Sequence, residues 1–245
     1  MSTALRQLVR NAAHPVVLTG AGVSAESGVP TFRDAMTGLW TRYRPEELAT
    51  PGAFEADPAL VWRWYEWRRK RVASARPNAG HRALADWQLR HPTLCLITQN
   101  VDGLHSKAGS DPVLELHGSL WRDRCSGCGR RTPARHPGPA VPPSCPSCDS
   151  RLRPDVIWFG EPLDAAVMAV ALTASRRCDL FISVGTSSLV HPAAELPVVA
   201  LRAGATLVEI NPRPTPLSAL ATYRIPAPAG DALPRILTTD GPRGG

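Results

Sequence analysis

A chain of 245 residues allows one large domain, or one domain carrying a smaller insertion, at about 150 residues per domain. With 43% hydrophobic and 20% charged residues it has a globular composition, which excludes a disordered, collagen-like or disulfide-dense chain. The net charge of +7 is carried almost wholly by arginine, since Lys70 and Lys107 are the only lysines; arginine forks suit anionic ligands, although coding composition accounts for the same bias. No apolar run reaches the roughly 18 residues of a bilayer span, and residues 1–10 have no apolar core of signal-peptide type, so the expectation is a soluble cytoplasmic protein with no membrane partner.

Taken in chain order, residues 4–12 place Leu5, Leu8, Val9 and Ala12 on one helical face, and an apolar strand follows at 16–19. That strand ends in Gly20-Ala21-Gly22-Val23-Ser24-Ala25, which fits the GxGxx(G/A) dinucleotide fingerprint. Without side chains at Gly20 and Gly22 the backbone can approach a pyrophosphate. The acidic residue that usually binds the ribose about 20 residues later is missing, because Arg42-Tyr43-Arg44-Pro45 stands there; the segment Glu209-Ile210-Asn211 is the candidate for that task. A helix is predicted from Asp57, with Pro58 at its first position, to about Arg71. A second apolar strand at 94–98 runs into the polar stretch Gln99-Asn100-Val101-Asp102-Gly103-Leu104-His105, and 113–116 leads into His117-Gly118. Strand ends are where ligands bind in open α/β sheets, and a histidine there can serve as a base near neutral pH. Asp164 caps a further helix carrying Val167, Met168, Ala171 and Leu172, and strands at 180–184 and 207–210 complete the alternation. The fold class is therefore α/β, a Rossmann-like doubly wound parallel sheet.

Residues 121–155 break this rhythm, being rich in Pro, Gly, Cys and Arg. Their cysteines read Cys125-x2-Cys128-x16-Cys145-x2-Cys148, a zinc-ribbon spacing. Four thiolates leave no open position on the metal, so the expected Zn2+ is structural rather than catalytic. Cys95, inside a strand, and Cys178, at a helix end, read as packed thiols.

Several of these segments together are more specific than any one alone. The run from Gly20 to Arg33, the run from Thr98 to His105, Glu115-Leu116-His117-Gly118, the two cysteine pairs and Gly185-Thr186-Ser187, in this order, closely resemble the sirtuins. The resemblance implies a Rossmann-like NAD-binding domain (residues 1–31, 76–120 and 156–238), a small domain made of a helical insertion (32–75) and a zinc insertion (121–155), and a tail (239–245). It also implies NAD-dependent removal of acyl groups from protein lysine, releasing nicotinamide and an O-acyl-ADP-ribose. By position, His117 matches the catalytic base, and Asn100 and Asp102 match the nicotinamide pocket. Ala21, Ala25, Glu26, Phe32, Arg33 and Gln99 fall in NAD-contacting motifs, with Gly185, Thr186, Ser187, Asn211 and Ala229 around the adenosine half. Val156, Ile157, Trp158, Phe159 and Gly160 match the strand to which a substrate peptide adds itself.

A shorter signal points to subclass. Tyr65 and Arg68 are three apart on the helix from Asp57 and share a face. The branch of sirtuins that removes succinyl and malonyl groups carries such a Tyr-x-x-Arg pair, with a small residue nearby, here Ala49. A hydroxyl and a guanidinium would bind the distal carboxylate of such a group. The alternatives are a broad-range deacetylase, a protein ADP-ribosyltransferase or, from another class, a zinc-ribbon nucleic-acid-binding protein using Arg122, Arg124, Arg130, Arg131 and Arg135. No aromatics are interleaved with those arginines, which suits nucleic acid poorly. The expected partners are acyl-lysine proteins or peptides, and the expected state is a monomer.

Overall fold

The computed structural model describes residues 3–29, 43–135, 138–139 and 141–237. Helix α1 (Thr3–Asn11) turns Leu5 and Val9 inward and leads to β1 (Pro15–Thr19), then to the single turn α2 (Gly22–Ala25). The chain next leaves the sheet through α3 (Pro45–Leu48), α4 (Pro51–Ala56) and α5 (Pro58–Ala73). Thr50 Oγ1 accepts the Ala53 amide at 3.1 Å and Asp57 Oδ1 the Leu60 amide at 2.9 Å, so each of the last two helices starts on a capping side chain followed by proline. The chain returns along α6 (Ala79–Arg90) to β2 (Cys95–Thr98), α7 (Leu104–Lys107) and β3 (Val113–Glu115).

A second excursion forms an antiparallel sheet ordered β5-β4-β6 from β4 (Gly118–Cys125), β5 (Arg131–Pro133) and β6 (Leu152–Val156). Then α8 (Ala165–Arg177), capped by Asp164 as expected, β7 (Leu180–Val184), α9 (Leu196–Arg202), β8 (Thr206–Ile210), β9 (Tyr223–Ile225) and α10 (Ala229–Leu237) complete the fold. Among the described residues no helix is long and apolar enough to cross a membrane.

The main sheet is parallel throughout, in the order β3-β2-β1-β7-β8-β9. Its strands are buried on both faces. Val17, Leu96, Ile182 and Val208 pack under α1, α6 and α10, while Val16, Leu18, Ile97, Phe181 and Leu207 pack under α8 and α9, the alternation that a pleated strand imposes. Strand order reverses between β1 and β7, and the crevice outside their carboxyl ends is where open α/β sheets bind ligands. A third apolar cluster lies away from the sheet and joins Ala49, Phe54, Val61, Trp64 and Tyr65 to Leu120, Val156 and Trp158. The two excursions are therefore packed on one another.

Candidate active site

Around the strand-order reversal, the turn after β1 lies directly against the turn after β7. A Cβ on Gly20 would stand 2.9 Å from the Gly185 carbonyl oxygen, and one on Gly22 would stand 2.7 Å from Gly185 Cα. Gly185 itself has φ +60°. The glycines thus let two backbone turns touch, with the Gly22 amide donating to the Gly185 carbonyl at 2.8 Å. The side-chain space at Gly20 and Gly22 is occupied by the neighbouring turn, so these glycines are needed for turn-to-turn packing in addition to the bare backbone that the sequence reading asked of them. Gln99 Nε2 donates to Thr186 Oγ1 at 3.0 Å, and Asn211 Nδ2 to the Thr186 carbonyl at 2.8 Å, so four strand ends are tied into one floor. Ser187 sits in this turn, and next to it Ser188 is held at φ +55° with its buried Oγ lacking a partner among the described residues. A polar ligand at this edge would satisfy that atom, which fits a nucleotide.

Other expected contacts fall out differently. Glu209 is buried and accepts from Thr215 Oγ1 and Ser218 Oγ, so of the segment 209–211 only Asn211 faces the floor. Ala25 and Glu26 are exposed, and Glu26 Oε2 accepts the Gly230 amide at 2.7 Å, bringing it beside Ala229 at the start of α10. Phe32 and Arg33 lie outside the described residues.

His117 follows β3. Its Nδ1 is 2.9 Å from the Gln99 carbonyl oxygen, which can only accept, so Nδ1 carries the proton and Nε2 keeps a free lone pair. Burial holds this imidazole below its ordinary value, which favours the neutral form. Asn100 Nδ2 donates to the Gly20 carbonyl and to Ser24 Oγ, each at 3.1 Å. Asp102 is buried; it accepts from Ser24 Oγ at 2.7 Å and from the Leu104 amide at 2.8 Å, and burial pushes its carboxyl up. Behind Ser24 stand two histidines that the sequence reading did not single out. His81 Nε2 is 3.4 Å from Ser24 Oγ, His105 Nε2 is 2.9 Å from Thr19 Oγ1, and the two rings are 4.8 Å apart.

On the opposite side of His117, its carbonyl accepts the Ile157 amide and the Ala49 carbonyl accepts the Phe159 amide, both at 2.9 Å. Residues 157–159 therefore bridge the catalytic-base candidate and the helical excursion, with Gly160 completing the turn at φ +86°. Between them Tyr65 is fully buried and Arg68 stacks its guanidinium on Trp64 (5.1 Å) and Tyr65 (5.6 Å). Burial pushes the Tyr65 phenol up and pulls the Arg68 guanidinium down, with Tyr65 and Asp102 acting the other way on the arginine.

The four cysteine sulfurs of Cys125, Cys128, Cys145 and Cys148 lie within 4.8 Å of one another. The contacts Cys125–Cys148 at 3.4 Å and Cys128–Cys145 at 3.8 Å are near the edge of about 3.8 Å expected for a tetrahedron with Zn–S of about 2.3 Å. Amides of Gly127, Cys128 and Ser147 point at Cys125 and Cys145 sulfurs at 3.3–3.4 Å, as suits thiolates. The donor set fits a structural zinc ion. Cys178, pushed up to about 12 by burial, and Cys95, pushed up by the same cause, are inert packed thiols.

The family model described as "Sir2 family" matches residues 20–192. The chain belongs to the Sir2 family. It is 51% identical over 230 residues to NAD-dependent protein deacylase 2 of Pyrobaculum aerophilum, covering 94% of this chain and 92% of that one. Among solved structures it resembles a Sir2 homolog–NAD complex (TM-score 0.92, 46% identity, 97% of this chain and 93% of the other) and a Sir2 bound to acetylated peptide (TM-score 0.86, 30% identity, 97% and 98%).

In this Sir2 chain the arginines weighed as a nucleic-acid patch are largely engaged. Arg122 pairs with Glu115 (2.9 Å) and Asp155 (3.1 Å), Arg131 with Asp155 (3.1 Å), and Arg124 with Glu161 (3.5 Å). Sequence reasoning also passed over Arg69, which is buried and donates to Glu66 (2.7 Å), to Asp123 (2.5 Å) and to the Leu120 carbonyl (2.8 Å). Glu66 additionally accepts the Gly138 amide, so α5 is clamped to the cysteine-bearing excursion. One signal could have found it: Glu66 stands three residues before Arg69, an acid–base spacing that shares one helical face.

Proposed function

We propose that this protein is an NAD-dependent protein-lysine deacylase that favours lysines bearing short carboxylate-ended acyl groups, succinyl and malonyl, with acetyl as a poorer substrate. The observation that carries the preference is the pairing of Tyr65 and Arg68 on one face of α5, with Tyr65 inside the apolar cluster that also holds Ala49 and Trp158 and the Arg68 guanidinium stacked on the Tyr65 ring. An aliphatic acyl chain matches that cluster, and its terminal carboxylate matches a neutral donor beside a guanidinium. Arg68 feels the charge of Asp102, which supports an acyl end on the Asp102 side of the crevice.

In this reading the turn residues Gly20, Ala21, Gly22, Gly185, Thr186 and Ser187, with Ala25, Glu26, Gln99, Asn211 and Ala229 around them, hold the dinucleotide; Phe32 and Arg33 would join them. Bound NAD would supply an activated ribose carbon as its bond to nicotinamide breaks, and with one water consumed the acyl group would pass from lysine to that ribose, giving free lysine, nicotinamide and an O-acyl-ADP-ribose. Asn100 and Asp102, fixed by Ser24, orient the nicotinamide end. His117 Nε2 takes a proton from a ribose hydroxyl, which its tautomer and depressed basicity allow at neutral pH. Residues 156–160 receive the peptide backbone, and the zinc ion keeps β4 and β6 in place without entering the chemistry. The deciding measurement is nicotinamide release with acetyl, malonyl, succinyl and glutaryl versions of one peptide. The acidic-acyl reading requires kcat/KM for succinyl or malonyl to exceed that for acetyl, and equal values remove it.

A further inference from the structure

Trp158 lies one residue beyond the amide that bonds to His117, and its side chain turns the other way, into the α5 cluster. There its indole Nε1 donates to Tyr65 Oη at 2.9 Å. An indole N–H can only donate, so the bond consumes a lone pair of the phenol oxygen and leaves the phenol proton directed elsewhere. No described residue accepts that proton.

The indole is held firmly. Its face stacks against the Arg153 guanidinium, 3.3 Å from the ring centroid, and Phe54 packs on it at 5.3 Å. Arg153 is in turn forked onto Glu161, with Nη1 at 2.5 Å and Nη2 at 2.9 Å from its two oxygens, and Glu161 also accepts the Trp158 amide at 2.8 Å. A chain of fixed groups therefore runs from the turn after the peptide-receiving segment to the phenol oxygen.

We propose that Trp158 is a specificity-positioning residue: by donating to Tyr65 Oη, its indole N–H forces the phenol to act as a donor toward the acyl group, so that the pocket offers donors alone and recognises a carboxylate. The inference rests on the acidic-acyl reading of Tyr65 and Arg68. Burial of Tyr65, which keeps the phenol protonated, is consistent with it.

The test compares Trp158→Phe, Tyr65→Phe and the double variant on acetyl and succinyl forms of one peptide, with KM and kcat resolved. Trp158→Phe should raise the ratio of succinyl KM to acetyl KM roughly three- to tenfold, the range of one neutral hydrogen bond, with kcat on the two substrates changing in parallel. In the Tyr65→Phe background, where no phenol oxygen remains, the same substitution should leave that ratio unmoved. If phenylalanine cannot be accommodated, β-(3-benzothienyl)alanine at position 158 keeps the ring shape and lacks the N–H. An unchanged KM ratio in either Trp158 variant, or additive effects in the double variant, overturns the proposal. Tyr65→Phe alone separates the two levels of the argument. If it leaves the ratio unchanged, the phenol does not read the carboxylate and this inference falls, while the acidic-acyl reading is decided by the parent's own preference among the acyl peptides; if it raises the ratio while the Trp158 variants do not, only the role of Trp158 falls.

Discussion

In the parallel sheet, Val16, Val17, Leu18, Phe181, Ile182 and Leu207 are shielded on both faces by helices, and the ligand floor is made by backbone turns at Gly20, Gly22 and Gly185. In the region built from α5 and the antiparallel sheet, a fully buried arginine is clamped by two carboxylates, four thiols converge on one point, and the expected substrate groups are side chains. On the proposed function, the first region would take the part of the ligands that does not vary, and the second the part that does. A floor of main-chain atoms tolerates few substitutions, because any Cβ collides with the facing turn. A pocket of side chains on a helix can change its preference by altering one or two residues without disturbing the floor.

The sharpest way to break this division is at His117, which stands between the two regions. His117→Ala should lower kcat/KM for deacylation about 10²–10⁴-fold while the thermal melt and zinc content stay close to those of the parent. Near-normal turnover in a folded variant would assign the base elsewhere. Next in size is the ion cluster. Arg69→Met leaves Glu66 and Asp123 buried without their cation, and should cost about 3–5 kcal/mol, read as a lower denaturant midpoint and a looser hold on zinc. Cys145→Ser should act in the same direction, lowering zinc content and melting temperature together. If either variant loses zinc but keeps full stability, the metal does not support the fold as argued.

The sheet was legible in the sequence because buried parallel strands are written as uninterrupted apolar runs, and four such runs stood at their observed places. The cysteine spacing and the caps at Asp57 and Asp164 were equally plain, since each depends on local chain chemistry. What escaped depends on distant contacts. Helices α6 and α10 pack on one another; the inward face of α6 includes the polar His81 and Gln88, and α10, although its buried residues Ala229, Ala232, Leu233, Ile236 and Leu237 follow a helical period, contains Pro234. Glu209 looked free at a strand end and is tied down by a turn six to nine residues later. The pairing of His81 with His105 joins α6 to α7, and no spacing rule brings them together. Arg69 reads as surface charge until Asp123, 54 residues away, closes on it.

A smaller effect tests the side-chain half of the comparison. Arg68→Met should reduce kcat/KM on succinyl and malonyl peptides relative to acetyl by roughly 10- to 150-fold, as for a charge-assisted hydrogen bond of about 1.5–3 kcal/mol. Equal losses on all substrates would mean that Arg68 shapes α5 or the dinucleotide site instead.

The smallest effect is that of pH, and it distinguishes the base from the wall behind it. His117 must be neutral to accept a proton, and burial holds it below its ordinary 6.5, so kcat/KM should be flat around pH 7 and fall only in a limb centred below pH 6.5. His81 and His105 lie deeper and are held down to about 4 and about 3, in each case chiefly by burial; Arg82 adds to the effect on His81, and His81 to that on His105. In the unfolded chain both return to near 6.5. Between pH 6.5 and about 4 the unfolded state therefore binds more protons than the native state, and stability falls as pH falls through that window. Melting temperature should thus decline steadily from pH 7 to 5. In His117→Ala the decline should persist but be shallower, because His117 is itself held down by burial and contributes in the same window, while His81 and His105 in the network behind Ser24 supply the rest. A flat melting temperature across this range would mean that His81 and His105 are not buried as neutral groups. An activity limb above pH 6.5 would mean that the bond to the Gln99 carbonyl, which favours the charged form, outweighs burial.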